Sequence, residues 1–280
     1  MAKALESGAD AVIFDLEDSV PVAAKPEARS LVARAIAGVA ATGPAGSRPA
    51  IWVRANGTAT GLLADDLAAV VRPGLDAVIL PKAESVPEVR SLATVLERRE
   101  AATGMGAGAV EVILQIESAL GVYRCFDLIK ASPRVASVTI GTARDGDLQT
   151  DLGCAWSIEG TELLYARSKV LLDARAAGIV DPLDGVFSDL GDEEGLIKDS
   201  RLSARLGYVG RPVIHPKQIA PVRLAYAVPE EEVAYYRQVV TAFEAGERAG
   251  TAAITVNGKM VDYAMYQRAR RVLALAAFDR

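Results

Sequence analysis

Charged and polar side chains follow nearly every apolar, strand-like run in this sequence. The most informative is Glu117, which directly follows the apolar run at residues 110–116. A short, almost continuously apolar run rich in β-branched residues predicts a parallel strand that is buried on both faces. The carboxyl ends of such strands are where α/β folds place their chemistry. Glu117 could equally begin the next helix, where the helix dipole favours a negative charge, and the run alone supports both interpretations.

Strand-like and helix-like segments alternate along the chain. The predicted strands are residues 11–17, 50–55, 77–81, 110–117, 135–142, 185–189 and 212–215, and the predicted helices are residues 26–39, 62–71, 86–100, 118–130, 159–177 and 192–206. Repeated βα units indicate a parallel sheet, either an open doubly wound sheet or a closed (β/α)8 barrel. The polar residues at the strand ends are Asp15, Glu17, Asp18, Arg54, Lys82, Glu117, Asp145, Asp147, Asp189 and His215. Their distribution over many strands favours an α/β fold of the TIM-barrel type, because an open sheet concentrates its site at one switch point.

The number of predicted strands is one short of a complete barrel. Seven strands are predicted, whereas a barrel needs eight. Residues 2–8 have the pattern of the last turns of a helix that ends at Gly8. A strand should precede that helix, so we expect that this chain lacks the first strand of its barrel.

The pattern changes after residue 215. A short connection at 219–227 leads to a polar helix at 230–248, a hairpin turn at Asn257-Gly258 and a final helix at 263–277. We predict a TIM-barrel catalytic domain at residues 1–220 and a C-terminal helical and hairpin extension at residues 221–280. The extension is expected to act as both a lid and an oligomer contact.

Composition excludes several classes of protein. The chain has 280 residues, of which 51% are hydrophobic and 24% are charged, so it can bury a large core. A formal net charge of −5 gives no sign of a nucleic-acid partner, which would need a clustered basic face. No apolar run approaches the ~20 residues that a membrane span needs. The two cysteines, Cys125 and Cys154, lack metal-type spacing, and a cytoplasmic protein is the simplest expectation.

Seven short segments carry a resemblance to a known family. They are DLEDSV at 15–20, WVRAN at 52–56, LPKAE at 80–84, QIES at 115–118, DLQTDLG at 147–153, VIHPKQI at 213–219 and GKMVD at 258–262. In this order, over nearly the whole chain, they resemble the citrate lyase β-subunit-like (CitE-like) proteins of the HpcH/HpaI aldolase and citrate lyase superfamily. The resemblance implies a (β/α)8 barrel, a homotrimer, bound Mg²⁺ and a lyase that cleaves or forms a C–C bond in a 3-hydroxyacyl-CoA thioester. Members begin with a strand that we expect this chain to lack, and they have a shorter loop than residues 141–147.

The residue types agree with that chemistry. Mg²⁺ prefers hard oxygen ligands and usually takes one or two carboxylates together with water and substrate oxygens, which suits Glu117 and Asp147 at the ends of adjacent strands. Asp145 is the rival ligand, and the resemblance favours Asp147. A metal chelated by a 3-hydroxyl and a carboxylate acidifies the hydroxyl and polarises the ketone that forms from it. Arg54 is our candidate for stabilising the charge that develops on the thioester oxygen as the enolate of acetyl-CoA departs.

Other candidate residues each have a structural alternative. Arg54 could simply neutralise the acidic cluster at Asp15, Glu17 and Asp18. Within that cluster, we expect Glu17 and Asp18 to orient metal-bound waters rather than to bind the metal directly. Lys25 and Arg29 could bind CoA phosphates or could belong to a solvated helix start. We expect His215, the only histidine, to be a structural donor rather than a general base.

The resemblance places Asp262 in a segment that lies over the active site of a neighbouring subunit. Enolate protonation needs a proton donor, and we predict that Asp262 is this general acid/base. The alternative is that Asp262 caps the helix that starts at residue 263.

Three functions remain open at this stage. The favoured one is a Mg²⁺-dependent lyase acting on malyl-CoA, citramalyl-CoA or citryl-CoA. The second is an acyl-CoA thioesterase or a 2-keto acid aldolase. The third is a catalytically inactive binding subunit, because a missing barrel strand would leave two unpaired edges.

Overall fold

The computed structural model describes residues 2–41, 43, 46–251 and 253–278. Its central feature is a parallel five-stranded sheet in which each strand lies beside the next one in sequence. The strands are β1 Ala11–Asp15, β2 Ala50–Arg54, β3 Ala77–Leu80, β4 Glu111–Ile116 and β5 Val135–Ile140. Sequential parallel order with a helix in every connection is the arrangement of a TIM barrel. The predicted fold type and the first five predicted strands are confirmed.

Helices lie before β1, in each connection between the five strands, and after β5. They are α1 Ala2–Leu5, α2 Lys25–Ala40, α3 Leu63–Val70, α4 Val86–Ala102, α5 Ala119–Lys130, α6 Asp147–Leu152, α7 Leu164–Ala177 and α8 Glu193–Leu206, with short 3₁₀ helices at Val22–Ala24, Thr58–Thr60 and Pro216–Gln218. The six predicted helices are confirmed to within a few residues. The start of α7 is the exception, because residues 159–163 are turns that precede the helix. Helix α6 was not predicted.

The start of α5 decides between the two interpretations of Glu117. Ser118 is the N-cap, since its side chain accepts a hydrogen bond from the Gly121 backbone N–H at 3.0 Å. Glu117 therefore lies before the helix, directly after β4, at the carboxyl edge of the sheet. Gly121 is required for this tight connection, because a Cβ there would lie 2.9 Å from the Ala83 carbonyl oxygen.

The sixth and seventh predicted strands were placed wrongly. Single parallel bridges join Thr139 to Leu183 and Leu183 to Gly210. The sheet order therefore continues past β5 through Leu183 and Gly210, which come just before the predicted strands at 185–189 and 212–215. Pro212 has no N–H to contribute to a ladder. A Cβ on Gly185 would lie 2.2 Å from the Ile140 carbonyl oxygen. The close approach at Gly185 shows that this segment lies against β5, and the missing N–H at Pro212 interrupts any ladder there, so neither segment forms a regular strand.

Buried ion pairs tie these irregular segments to the surrounding helices. Arg167 on α7 pairs with Asp184, and its Nη1 also lies 2.8 Å from Asp199 Oδ1 on α8. Arg211 Nη2 lies 2.7 Å from the other oxygen of Asp199. Buried charges are stable only when they are paired in this way. The network therefore holds the chain after β5 in place where a regular ladder is absent.

The chain divides into two compact units, Met1–Val222 and Arg223–Arg280. Residues 219–227 were expected to be a connection, but α9 Ile219–Tyr226 is a helix. The second unit contains α10 Glu230–Arg248, the antiparallel hairpin β6 Ile254–Val256 and β7 Lys259–Val261, and α11 Tyr263–Phe278. Its core includes Phe243 and Tyr266, whose rings stack at 4.7 Å. Asn257 and Gly258 form the hairpin turn with positive φ, as predicted.

No helix in the described part of the chain is long and apolar enough to cross a membrane.

Candidate active site

An ion-pair cluster joins the carboxyl ends of β1 and β2. Asp15 and Arg54 are register partners in adjacent strands, and the guanidinium binds Asp15 through Nε at 2.9 Å and Nη2 at 2.6 Å. The remaining nitrogen, Nη1, lies 2.9 Å from Glu17 Oε2. Burial alone would raise the pKa of Asp15, but the hydrogen bonds and charge of Arg54 outweigh it and hold that pKa below its ordinary value. Arg54 is therefore a fixed cation at this edge, although its side chain is still 24% exposed.

The loop after β1 is held from beneath by Lys25. The Lys25 side chain is buried, and its Nζ donates hydrogen bonds to the backbone carbonyl oxygens of Leu16 at 2.8 Å and Glu17 at 3.0 Å. Burial raises the pKa of Glu17 more than the neighbouring cations lower it. Asp18 in the same loop is largely exposed. Lys25 thus positions the acidic loop, and these two contacts argue against its predicted role as a ligand of CoA phosphates.

Arg29 is also engaged within the protein. Its Nε lies 2.7 Å from Asp66 Oδ1, and its Nη1 lies 3.4 Å from Asp65. Asp66 is fully buried, and its other oxygen accepts hydrogen bonds from the backbone and side chain of Asn56. Removing Arg29 from this carboxylate would leave a buried charge with less compensation. Arg29 therefore joins α2 to α3, which argues against its predicted role as a CoA ligand.

Glu117 has the chemical environment of a metal ligand. Its Oε2 is buried and has no hydrogen-bond partner among the described residues. Gly141 in the loop after β5 packs directly on this side chain, since a Cβ there would lie 2.9 Å from Glu117 Cγ. Burial, together with the charges of Glu17 and Asp147, raises the pKa of Glu117 to about 7. A buried carboxylate with an unsatisfied oxygen and carboxylate neighbours gains stability from a bound cation.

The loop after β5 presents Asp147, rather than Asp145, to this cluster. Asp147 is the first residue of α6, and its Oδ2 lies 3.1 Å from Lys82 Nζ. Asp145 has a positive φ of 59° and a side chain that is 84% exposed. Its nearest cation is Arg144, at 3.9 Å. The placement favours Asp147 as the partner of Glu117, and this pairing remains a prediction.

Lys82 is the site residue whose role sequence reasoning missed. It was recognised only as a polar residue at a strand end, although its Nζ lies within 4 Å of carboxylates from two loops. Burial lowers the pKa of Lys82, but the hydrogen bond and charge of Asp147 outweigh it and raise that pKa above its ordinary value. The LPKAE segment was the available signal, because it places a cation directly after β3.

The donor set fits Mg²⁺. Among the residues that the structure describes, no group of three His, Cys, Asp or Glu side chains could form an all-protein metal site. Mg²⁺ does not need such a group, because it commonly takes one or two carboxylates and completes its octahedron with water and substrate oxygens. Glu117 and Asp147 supply hard oxygen ligands of the right kind.

Asp262 and His215 both act as caps. Asp262 Oδ1 accepts a hydrogen bond from the Met265 backbone N–H at 2.9 Å, which is the N-cap arrangement for α11. His215 is exposed, and its Nδ1 accepts a hydrogen bond from the Lys217 backbone N–H at 3.1 Å. His215 therefore has a structural role as expected, but as an acceptor rather than a donor. The acid/base role of Asp262 remains a prediction.

Comparison with known families assigns the chain to an enzyme class. The family model described as HpcH/HpaI aldolase/citrate lyase matches residues 1–216. The chain belongs to this family. A second model, described as a C–C bond lyase of the TIM-barrel fold, matches residues 171–279. The protein is therefore a carbon–carbon lyase with a TIM-barrel type of α/β fold.

Individual relatives are similar over almost the entire chain. The β subunit of citrate lyase from Leuconostoc mesenteroides subsp. cremoris is 38% identical over 269 residues, which cover 96% of this chain and 86% of the relative. Human mitochondrial citramalyl-CoA lyase is 29% identical, covering 95% of this chain and 78% of the relative. A crystal structure of the CitE protein from Mycobacterium tuberculosis in complex with magnesium, acetoacetate and coenzyme A aligns with a TM-score of 0.71 and 31% identity, covering 99% of this chain and 93% of that one.

Proposed function

We propose that this protein is a Mg²⁺-dependent lyase that cleaves or condenses a 3-hydroxyacyl-CoA thioester such as malyl-CoA, citramalyl-CoA or citryl-CoA. The products of cleavage are acetyl-CoA and a keto acid. The names of the relatives support this proposal, because they include citrate lyase β subunits and citramalyl-CoA lyases. The CitE structure with magnesium, acetoacetate and coenzyme A supports the same cofactor and substrate class.

The observation that carries the proposal is the buried Oε2 of Glu117 at the carboxyl edge of the sheet, which has no hydrogen-bond partner in the described part of the chain. Glu117 and Asp147 would hold Mg²⁺ there. When bound, the metal supplies a Lewis acid that acidifies the substrate hydroxyl and polarises the ketone. Glu17 and Asp18, in the loop fixed by Lys25, have carboxylates suited to orienting water around that site.

Arg54 stabilises developing charge in this proposal. A guanidinium has five N–H donors. In Arg54, Nε and Nη2 each donate a hydrogen bond to Asp15, and Nη1 lies beside Glu17. The ion pairs fix the orientation of the group, and its partial exposure leaves N–H groups to face a thioester oxygen. Preorganised donors of this kind stabilise an enolate more than the neutral thioester. The structural ion pair and the catalytic role are therefore compatible.

We further propose that the protein is a homotrimer in which Asp262 of one subunit protonates the enolate at the site of its neighbour. The N-cap bond uses one oxygen of Asp262, so capping does not exclude acid/base chemistry by the same carboxyl group. In this arrangement the C-terminal extension, residues 221–280, is both the lid and the oligomer contact.

The test is a product assay with malyl-CoA, citramalyl-CoA and citryl-CoA, each with Mg²⁺ and with EDTA. A lyase releases acetyl-CoA and a keto acid from at least one thioester only when Mg²⁺ is present. A thioesterase would instead release free CoA and the intact hydroxy acid. A 2-keto acid aldolase would cleave free hydroxy keto acids, and an inactive binding subunit would turn over none of these compounds.

A further inference from the structure

Lys82 follows β3 and Pro81 in an unusual backbone conformation. Its φ is +50°, a left-handed backbone conformation that residues other than glycine adopt rarely and at a conformational cost. The next residue, Ala83, donates a backbone hydrogen bond to the Gln115 carbonyl oxygen at 3.4 Å. The turn is therefore anchored to β4, and the unusual backbone of Lys82 belongs to a fixed structure at the carboxyl edge of the sheet.

The Lys82 ammonium lies among carboxylates that come from two different loops. Its Nζ is 3.1 Å from Asp147 Oδ2, 3.8 Å from Asp18 Oδ2 and 3.9 Å from Glu17 Oε1. The side chain remains 43% exposed, so the ammonium is held by charge rather than by packing. A side chain held in this way can move when a stronger cation arrives.

Among the described residues, the charges of the linked cluster around Arg54 and Lys82 do not balance. The carboxylates are Asp15, Glu17, Asp18, Glu117 and Asp147, and the cations are Arg54 and Lys82. Five acids and two cations leave three negative charges when all the groups are ionised. Arg54 is committed to Asp15 and Glu17, so Lys82 is the cation that contacts the proposed metal ligand Asp147.

We propose that Lys82 is an exchangeable counter-ion for the metal site, which holds Asp147 in the metal-free protein and releases it when Mg²⁺ binds. The inference rests on the proposed Mg²⁺ site. It makes Lys82 a positioning residue: its ammonium keeps the first turn of α6 beside the other carboxylates before the metal is present. Because the ammonium competes with Mg²⁺ for Asp147 and repels it, Lys82 lowers the affinity of the site for the metal.

Calorimetric titration with Mg²⁺ alone tests the competition. Lys82→Gln removes the charge but keeps the backbone conformation, and it should bind Mg²⁺ about tenfold more tightly than the wild type, because a unit charge about 5 Å from a divalent ion in water has an effect of this order. Lys82→Arg retains the charge and should stay within about threefold of the wild type. Lys198→Gln, which alters an exposed lysine paired with Glu159, is the matched control and should leave the affinity unchanged.

Unchanged or weaker Mg²⁺ binding by Lys82→Gln would overturn the proposal, because Lys82 would then be a bystander or a scaffold for the ligand loop. A wild-type chain that binds no Mg²⁺ would instead remove the metal site itself, and with it the proposed function.

A second measurement follows the ammonium directly in the wild-type protein. Lysines are labelled by reductive methylation with carbon-13, and the Lys82 signal is assigned by its absence in Lys82→Gln. Saturation with Mg²⁺ should shift this signal, whereas the signal of Lys198 should remain in place. A Lys82 signal that stays constant while Mg²⁺ binds would show that the Asp147 contact persists, and the exchange would be refuted.

Discussion

Replacing Glu117 with glutamine should stabilise the metal-free protein while removing the metal site. The carboxyl group of Glu117 is mostly buried, and one of its oxygens has no hydrogen-bond partner among the described residues. Burial is the main reason that its pKa rises from the ordinary value of 4.5 to about 7. The folded protein therefore holds this proton more tightly than the unfolded chain does, so the ionised group opposes folding.

The size of the effect follows from the pKa shift. The pKa shift from 4.5 to about 7 corresponds to ~1.4 kcal/mol for each pKa unit. Ionised Glu117 therefore lowers the free energy of unfolding by about 3 kcal/mol. Because the folded-state pKa is the higher one, the metal-free wild type is more stable at low pH. This extra stability is fully present below pH 4.5, declines as the pH rises towards 7 and is absent above it. Glutamine has no charge to desolvate. At pH 8 the variant should gain about 3 kcal/mol over the metal-free wild type, or roughly 6–12 °C in Tm for a protein of this size.

Thermal unfolding in EDTA at pH 5 and pH 8 measures this difference. Glu117→Gln should unfold at nearly the same temperature as the wild type at pH 5 and at a higher temperature at pH 8. Glu111→Gln is the matched control, since Glu111 is exposed at the start of the same strand and its replacement should change little at either pH. Mg²⁺ at pH 8 should raise the Tm of the wild type but not that of Glu117→Gln, because only the wild type retains both metal ligands.

The reasoning is refuted if Glu117→Gln lowers the Tm equally at both pH values. That result would mean that the carboxylate makes favourable contacts in the metal-free protein, rather than being held there at a cost for the sake of the metal.

Three further predictions concern the other residues of the site. Arg54→Lys keeps the charge but loses the planar fork, so the rate of thioester cleavage should fall by about 10²–10³-fold with little change in Tm; a large loss of stability instead would make the ion pair with Asp15 its main role. Asp147→Ala should abolish Mg²⁺ binding measured by calorimetry, whereas Asp145→Ala should retain it, and the reverse outcome would reassign the ligand. Mixing inactive Asp262→Asn chains with inactive Glu117→Ala chains should restore part of the activity if sites are shared between subunits; mixed oligomers that co-purify and stay inactive would refute that role.

The sequence was sufficient for the regular part of the barrel. Strands β1 to β5 are short apolar runs, and the residues after them mark the carboxyl edge of the sheet, so the convergence of Arg54, Glu17 and Glu117 could be expected from topology alone. The segments near Leu183 and Gly210 could not be placed correctly. Buried ion pairs and close backbone contacts hold them, and neither feature produces an alternating or continuous apolar pattern.

The sequence also could not predict which groups the charged residues near the site contact. Lys25 and Arg29 were candidates for CoA binding because basic residues after an acidic loop suggest an anion site. The structure shows instead that Lys25 binds two backbone carbonyls and that Arg29 binds the buried Asp66. Lys82 had no assigned role because its ammonium reaches carboxylates of distant loops. Such contacts depend on backbone geometry, in this case a positive φ at a lysine.

We propose that Glu117 and Asp147 hold the Mg²⁺ that is needed to cleave the carbon–carbon bond. The most direct test is to quantify acetyl-CoA, keto acid and free CoA after incubation of a 3-hydroxyacyl-CoA thioester with the wild type, Glu117→Ala and Asp147→Ala. We predict equal amounts of acetyl-CoA and keto acid from the wild type with Mg²⁺, and neither product in EDTA or from either variant. Release of free CoA with the hydroxy acid intact, or cleavage that persists in EDTA or in both variants, would contradict the proposed metal-dependent lyase.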